Sequence, residues 1–498
     1  MLKEGGSGWR GLLLPVLLTL LLLFAILFDL FPWLRGPAPY PPEWQWGLRS
    51  EPGGPWLPAV LVGAMLLGLI ASCGSSWARR RPRFAAPVLM IAGVLAGWSF
   101  QIALAATLPE GAFRTLLNRA ASRTITSYHT VAVSEDACDP LVFLARHAEH
   151  LAEYRTTAKH AATHPPGPVL FYRATLWACE GSHRLTEALI DLAGLPDRDF
   201  APPNTRAARA AALLGALLLG LLGAMTVFPV AALAETLGLG RLAAAQVGLL
   251  YVLLPGPALM VPQFDAALAL PIAATTALLA SAIASGHGVG SKSILAGVLA
   301  AAALFTSYGA AAFLAIGGLA ALALAPSRRQ AARTGLPALA LAAGSAGLLT
   351  AATILLGHDP IASARAALAI HREAYTAPRS YALWLAFNPL DLAVFLGAPL
   401  AALGLMRLAS VRKAALGPGQ RFGLTLAATL GALIASGVTR GEVGRIWIPL
   451  MPLLLVAILP PADGPSPNAD PTDRRTLMLV VGALLGALCL AIRVSWDL

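Results

Sequence analysis

Seven separated stretches of an otherwise apolar chain carry carboxylates, arginines and aromatic rings. Pro39-Tyr-Pro-Pro-Glu-Trp-Gln-Trp46 supplies Tyr40, Glu43, Trp44 and Trp46. Tyr128 and His129 come next, then Thr163-His-Pro-Pro-Gly167, Pro262-Gln-Phe-Asp265, and Ser307 with Tyr308. The stretch 357–389 adds His358, Asp359, His371, Arg372, Arg379, Tyr381, Trp384 and Asn388. Thr439-Arg-Gly-Glu-Val-Gly-Arg-Ile-Trp447 closes the set with Arg440, Glu442, Arg445 and Trp447. These types suit one chemistry. Guanidinium groups match phosphate oxygens in pairs, a carboxylate takes a hydroxyl proton, and rings stack on sugar faces.

Each residue also has a plainer reading. Trp and Tyr anchor helices at membrane interfaces, and Arg440 and Arg445 can pair structurally with Glu442. Asp265 can cap the helix that follows it, and Glu43 can be solvated. Four histidines, His147, His150, His160 and His164, have a spacing that Pro165 interrupts, so no metal is assigned. Asp197-Arg-Asp199 is too short a pattern to carry weight, and Gly286-His-Gly-Val-Gly290 reads as a linker because no strand precedes it. Cys138 and Cys179 fall in one long polar segment, where an oxidising compartment would let them pair.

The elements that must position these groups are membrane helices. Of 498 residues, 57% are hydrophobic and 12% charged, whereas soluble domains carry about 25% charged residues. That excludes an ordinary soluble enzyme and a disordered chain. Apolar runs occur near 11–34, 57–77, 85–108, 207–234, 242–262, 266–285, 293–306, 308–325, 336–356, 390–408, 422–438, 446–460 and 476–492. They predict an all-α polytopic membrane protein of about thirteen spans, with interfacial helices at the outer face. The first run lacks a cleavage site and reads as an anchor.

Basic clusters at 79–83, 328–333, 407–413 and 474–475 all fall inside if the amino terminus is inside. The net charge of +11 therefore orients the chain and implies no nucleic-acid partner. Topology then sends all seven polar stretches to the outer side of a plasma (inner) membrane. Three units are expected: 1–84 as a two-helix addition, 85–460 as the core with a long outer loop at 109–206, and 461–498 as a loop and last span.

His164-Pro-Pro-Gly-Pro-Val-Leu170 resembles the His-Pro-Pro-Leu segment of the polyprenyl-phosphate-dependent GT-C glycosyltransferases, a group that includes protein mannosyltransferases and aminoarabinose transferases of lipid A. The likeness covers about 85–460. It implies transfer of a sugar from a polyprenyl-phosphate lipid to a glycan, lipid or protein acceptor at the outer face. It also implies an acidic residue or pair in the first large outer loop. Thr124-Ile-Thr-Ser-Tyr-His129, the matching stretch, has none, and Glu135, Asp136 and Asp139 come only later. The base is then one of those, or Asp265 or Glu43, or the protein does not catalyse.

On this reading Arg445, Arg440, Arg379 and Arg372 hold the donor phosphate, and Asp265 or Glu43 is the base. His164, Tyr128, Tyr308, Tyr381, Trp384, Asn388 and Glu442 contact substrate, and the prenyl tail lies along helices after His164. A divalent metal is compatible but not demanded. A transporter or flippase of lipid-linked sugars, or an inactive scaffold, would use the same binding groups without reaction.

Overall fold

The computed structural model describes residues 8–51, 53–196, 205–286, 289–411, 416–459 and 471–498. About 78% of the chain is helical. Asp197-Arg-Asp199, residues 412–413 of the third basic cluster, and His287-Gly288 lie outside the described residues, as does 461–470.

Hydrophobic length decides which runs become full spans. Five helices among the described residues are long and apolar enough to cross a membrane: Pro82–Ala105, Arg206–Thr236, Phe264–Ser285, Arg328–Leu356 and Arg474–Ser495. A sixth arises if Tyr381–Leu396 and Ala398–Ser410, bent by 117°, count as one. Five further runs form apolar helices of 10–17 residues. The run 242–262 breaks into Arg241–Tyr251 and Pro255–Leu259. Pro418–Ser436 opens with Gln420 and Arg421, polar side chains that lower its apolar character. Length and composition therefore support five or six spans where the sequence suggests thirteen, because prolines and polar ends interrupt the remaining runs.

The helices that matter for the site are α1 (Gly8–Leu27), α2 (Leu57–Ser72), α3 (Pro82–Ala105), α4 (Ala112–Ala121), α5 (Gly167–Glu180), α6 (Arg206–Met225), α7 (Phe264–Ser285), α8 (Tyr381–Leu396), α9 (Ala398–Ser410), α10 (Pro418–Ser436) and α11 (Pro471–Ser495). Local chemistry sets their ends. The Thr205 hydroxyl accepts the Ala208 amide to start α6, and Pro82 begins α3 at a first-turn position that needs no donor. Gly286, at φ +67°, ends α7.

The long segment 109–206 is not a loose loop. Leu116, Leu117, Tyr128, Phe143, Tyr172 and Leu176 bury against Ala212, Leu213, Ala216 and Leu219 of α6, forming a hydrophobic core of their own. The two chain ends also meet. α1 packs on α9 and α11, α2 packs on α3 and α11, and Gly47–Leu48 (β1) pairs antiparallel with Trp496–Asp497 (β2). The bend between α8 and α9 is made by Gly397, at φ +100°, where a Cβ would lie 2.2 Å from Leu485 Cδ2. Replacing Gly397 with Val adds both a clash and a backbone conformation costing about 1–3 kcal/mol. We expect Gly397→Val to lower the melting temperature in detergent by several degrees, measured by dye-free fluorimetry.

Candidate functional site

The segment 437–447 is held in place by side chains from two other parts of the chain. Asn388 Nδ2 donates to Thr439 O at 2.8 Å and its Oδ1 accepts Gly441 N at 3.3 Å. Asp391 accepts Gly444 N at 2.8 Å and Trp46 Nε1 at 2.9 Å. Glu43 ties the 39–46 segment to the start of α8, accepting Ser380 N at 2.8 Å and Trp384 Nε1 at 2.7 Å. Three segments distant in sequence are thereby laced together. Gly441, at φ +97°, is needed in this turn, since a Cβ would lie 2.6 Å from Arg379 Nη1 and 3.1 Å from Trp44 Cβ.

The turn delivers Glu442 into a buried charge network. Its carboxylate lies 3.4 Å from Arg379 Nη2 and 2.7 Å from Arg445 Nη2. Arg445 Nε in turn stands 3.8 Å from Asp265 Oδ2, in the first turn of α7. Burial opposes ionisation of Glu442, but Arg445 and Arg379 outweigh it and hold the carboxyl below its usual range. Burial likewise works against the Arg445 cation, and Glu442 with Asp265 reverses that and raises its pKa. Glu442 itself sits at φ 58°, a left-handed conformation costing roughly 1–2 kcal/mol for a residue with a side chain.

These groups line a cavity of about 170 Å3 together with Tyr128, His164, Tyr308, His371 and Tyr375. His164 Nδ1 donates to His160 O at 2.8 Å, and its ring meets Tyr128 edge to face at 5.3 Å. Burial pushes His164 down to about 3 and His160 to about 4, with Arg445 adding to both. Both imidazoles are therefore neutral near pH 7. Beside the cavity runs an apolar groove of about 290 Å3, lined by Leu392, Leu405, Leu426, Leu430, Ile434 and Ile458. Leu433 faces the cavity while Leu430 and Ile434 face the groove, so both reach the same end of α10. Groove-lining residues extend from Gln420 to Ile434, roughly 20 Å along the helix.

Of the residues singled out from sequence, Asp265, Arg379, Arg440, Arg445, Glu442, His164, Tyr128 and Tyr308 line the one cavity. Asp265 is no helix cap; Gln263 holds that position and no side chain caps the helix end. Glu43 is not in the cavity lining. It is 4% exposed, and both of its oxygens already accept hydrogen bonds, so it acts as a clamp. Arg372 is exposed and does not line the cavity. Tyr381, its hydroxyl on Ala435 O at 2.7 Å, stands under Arg440. Trp384 and Asn388 are buried clamps. Arg440 lines the cavity but is engaged by the backbone, donating to Gly437 O, Thr376 O and Arg379 O.

The later acids do not reach the cavity either. Asp139 caps a short helix through Leu141 N, and Asp136 accepts the Tyr154 hydroxyl at 3.0 Å. Tyr375, Asp391 and His160 are not among the site groups that the sequence singles out, and His371, which is in the polar stretch 357–389, receives no role there although it lines the cavity. A tyrosine following His371 by four residues, and an aspartate inside an apolar helix, were the available signals.

Cys138 and Cys179 are both free, the first exposed and the second buried in the core of the long segment. The histidine set does not converge, since His147 bonds Ser363 and His160 bonds Thr124 O. Asp136, His150 and Glu153 form the group of metal-capable side chains found among the described residues, with ligand atoms within 4.8 Å of one another. In the cavity, both carboxylates are partnered by Arg445, a donor set that neutralises itself and does not fit a divalent cation. No family model matches the chain, and no curated protein or solved structure matches it significantly.

Removing the shared anion leaves Arg379 without an ion pair among the described residues and Arg445 with only Asp265 at 3.8 Å, so Glu442→Gln should lower unfolding stability by about 3 kcal/mol, read from denaturation in detergent. A pH dependence follows from the histidines. Between pH 6.5 and about 4 the unfolded chain binds protons that folded His160 and His164 refuse, so stability falls as acid is added through that window. The melting temperature of His164→Gln should decline less steeply between pH 6.5 and 4 than that of the parent.

Proposed function

We propose that this chain is a multi-spanning glycosyltransferase of the GT-C kind, moving a sugar from a polyprenyl-phosphate donor to an acceptor at the outer face of the inner membrane. On this reading the shorter apolar helices complete about thirteen membrane passes. The observation that carries it is the adjacency of a polar cavity holding Asp265, Glu442 and Arg445 to an apolar groove roughly 20 Å long. A lipid phosphate needs both surfaces, one for its head and one for its tail. The tail then follows α10 and the α8–α9 bend, not the helices after His164.

Asp265 is the base. It takes the acceptor hydroxyl proton as that oxygen bonds to the anomeric carbon, while the bond from that carbon to the phosphate oxygen breaks. The lipid phosphate leaves with the electron pair, and Arg445 meets the charge that develops on it. Glu442 and Arg379 hold Arg445 in position, and Glu43 and Arg440 fix the turn that carries it. His164 and Tyr128, both neutral, offer a polar wall for the sugar.

A transporter of lipid-linked sugars is the second reading, favoured by one observation: both cavity carboxylates already face Arg445, a locked network suited to binding without reaction.

Purified protein in nanodiscs, supplied with a panel of polyprenyl-phosphate sugars and acceptors, separates the two. Turnover should fall on the order of 100-fold in Asp265→Asn, with the melting temperature retained. Glu43→Gln should lose stability while its folded fraction keeps turnover within a few fold of the parent. Donor that binds but is never consumed would remove the enzyme reading.

A further inference from the structure

On the other side of Glu442 and Arg445 lies a second cavity of about 640 Å3, walled by Trp44, Trp46, Arg119, Arg123 and Lys159. Glu442 and Arg445 line one side of it, and Arg119, Arg123 and Lys159 of the long segment 109–206, which take no part in the first cavity, line the other. Two more arginines, neither of which lines it, are tied to the chain near its lining residues Met260 and Leu498. Arg493, in the last turn of α11, is 2% exposed. Its Nη2 donates to Leu259 O at 2.7 Å, beside the cavity-lining Met260, whereas Nε and Nη1 are buried with no hydrogen-bond partner among the described residues. Arg49, directly after β1, has both Nη1 and Nη2 buried in the same state.

Arg49 N donates to Ser495 O at 3.0 Å, two residues beyond Arg493; the charges of Arg49 and Arg119 bear on Arg493 and that of Arg49 on Arg119, while Asp497 on β2 acts on all three. None of the three makes an ion pair within 4.0 Å among the described residues. Burial first, then Arg49, pushes Arg119 down to about 10, although Asp497 works the other way.

Buried guanidinium N–H groups without acceptors are expensive, and so is an excess of like charge in a low-dielectric pocket. One bound polyanion resolves both. The fork geometry of guanidinium selects a group with several oxygens around one centre, and three cations facing one carboxylate ask for about two negative charges.

We propose that Arg119 at the cavity wall, with Arg49 and Arg493 close by, forms a second anion site next to the Arg445 row that takes a phosphate or diphosphate group. Arg123 and Lys159 stand at the cavity wall to guide the anion inward. The group is either the headgroup of an anionic lipid or a free phosphate ester, since the same arginines fit both. The site does not depend on the chemistry assigned to Asp265.

The test uses the full chain in phosphatidylcholine nanodiscs, titrated with inorganic pyrophosphate, and in parallel in nanodiscs containing phosphatidic acid. The parent should gain several degrees of melting temperature in at least one arm. A response to pyrophosphate identifies a soluble ligand, and a response to phosphatidic acid alone identifies a lipid headgroup. Arg119→Gln and Arg493→Met should each weaken the response at least 10-fold in apparent affinity. Both should also melt higher than the parent without ligand, because a repelling cation is gone; an unfolded protein cannot show that gain. Asp265→Asn, at a residue that lines only the first cavity, should keep the response. Absence of any response in the parent, or equal responses in parent and arginine variants, would overturn the proposal.

Discussion

One buried carboxylate, Glu442, organises this end of the molecule. It sits in a left-handed turn between two guanidinium groups, Arg379 and Arg445, each mostly withdrawn from solvent. Two arginines cannot be buried side by side without an anion, and a buried carboxylate cannot stay ionised without cations. The three groups therefore require one another. Asp265, at the start of α7, completes the row through Arg445. Every element that approaches the site has to respect that row: the turn before α8 brings Arg379 and α8 brings Asn388, the 39–46 segment clamps α8 through Glu43, and Asp391 holds the Gly444 amide.

The groove gives the row its setting. α8 and α9 are bent through 117° at a glycine, so they do not close against α10 as straight helices would, and an apolar channel remains beside the polar cavity. Charge is thus concentrated at one end of a hydrocarbon-lined slot. That arrangement is costly for a protein that only needs to be stable, and it is the pattern amphipathic lipid phosphates require.

Much of this was legible in the amino-acid sequence, for a definite reason. An Asp, Glu or Arg in a short turn between apolar runs is expensive at that depth, so few are present and those few converge; Asp265, Glu442 and Arg445 stood out on that ground. The all-α class followed from the apolar runs. What was not legible is tertiary. Glu43 reads as a candidate base because its neighbours are aromatic, yet those neighbours belong to a clamp, and its partners Ser380 and Trp384 lie more than 300 residues away. Arg372 and Arg379 look alike in sequence, but a helix end turns one outward and buries the other. The second cationic cluster is not legible because its arginines come from three remote segments, those of Arg49 and Arg493 joined by the short β1–β2 ladder and that of Arg119 on α4.

We propose that a lipid phosphate docks with its head at Arg445 and its tail in the groove along α10. Electron cryomicroscopy of the protein in nanodiscs with a polyprenyl monophosphate tests it directly. Phosphate density is expected within hydrogen-bond reach of Arg445, close to Asp265, with chain density between Leu430 and Leu405. Density elsewhere, with an empty groove and the Arg445 pair undisturbed, would contradict it.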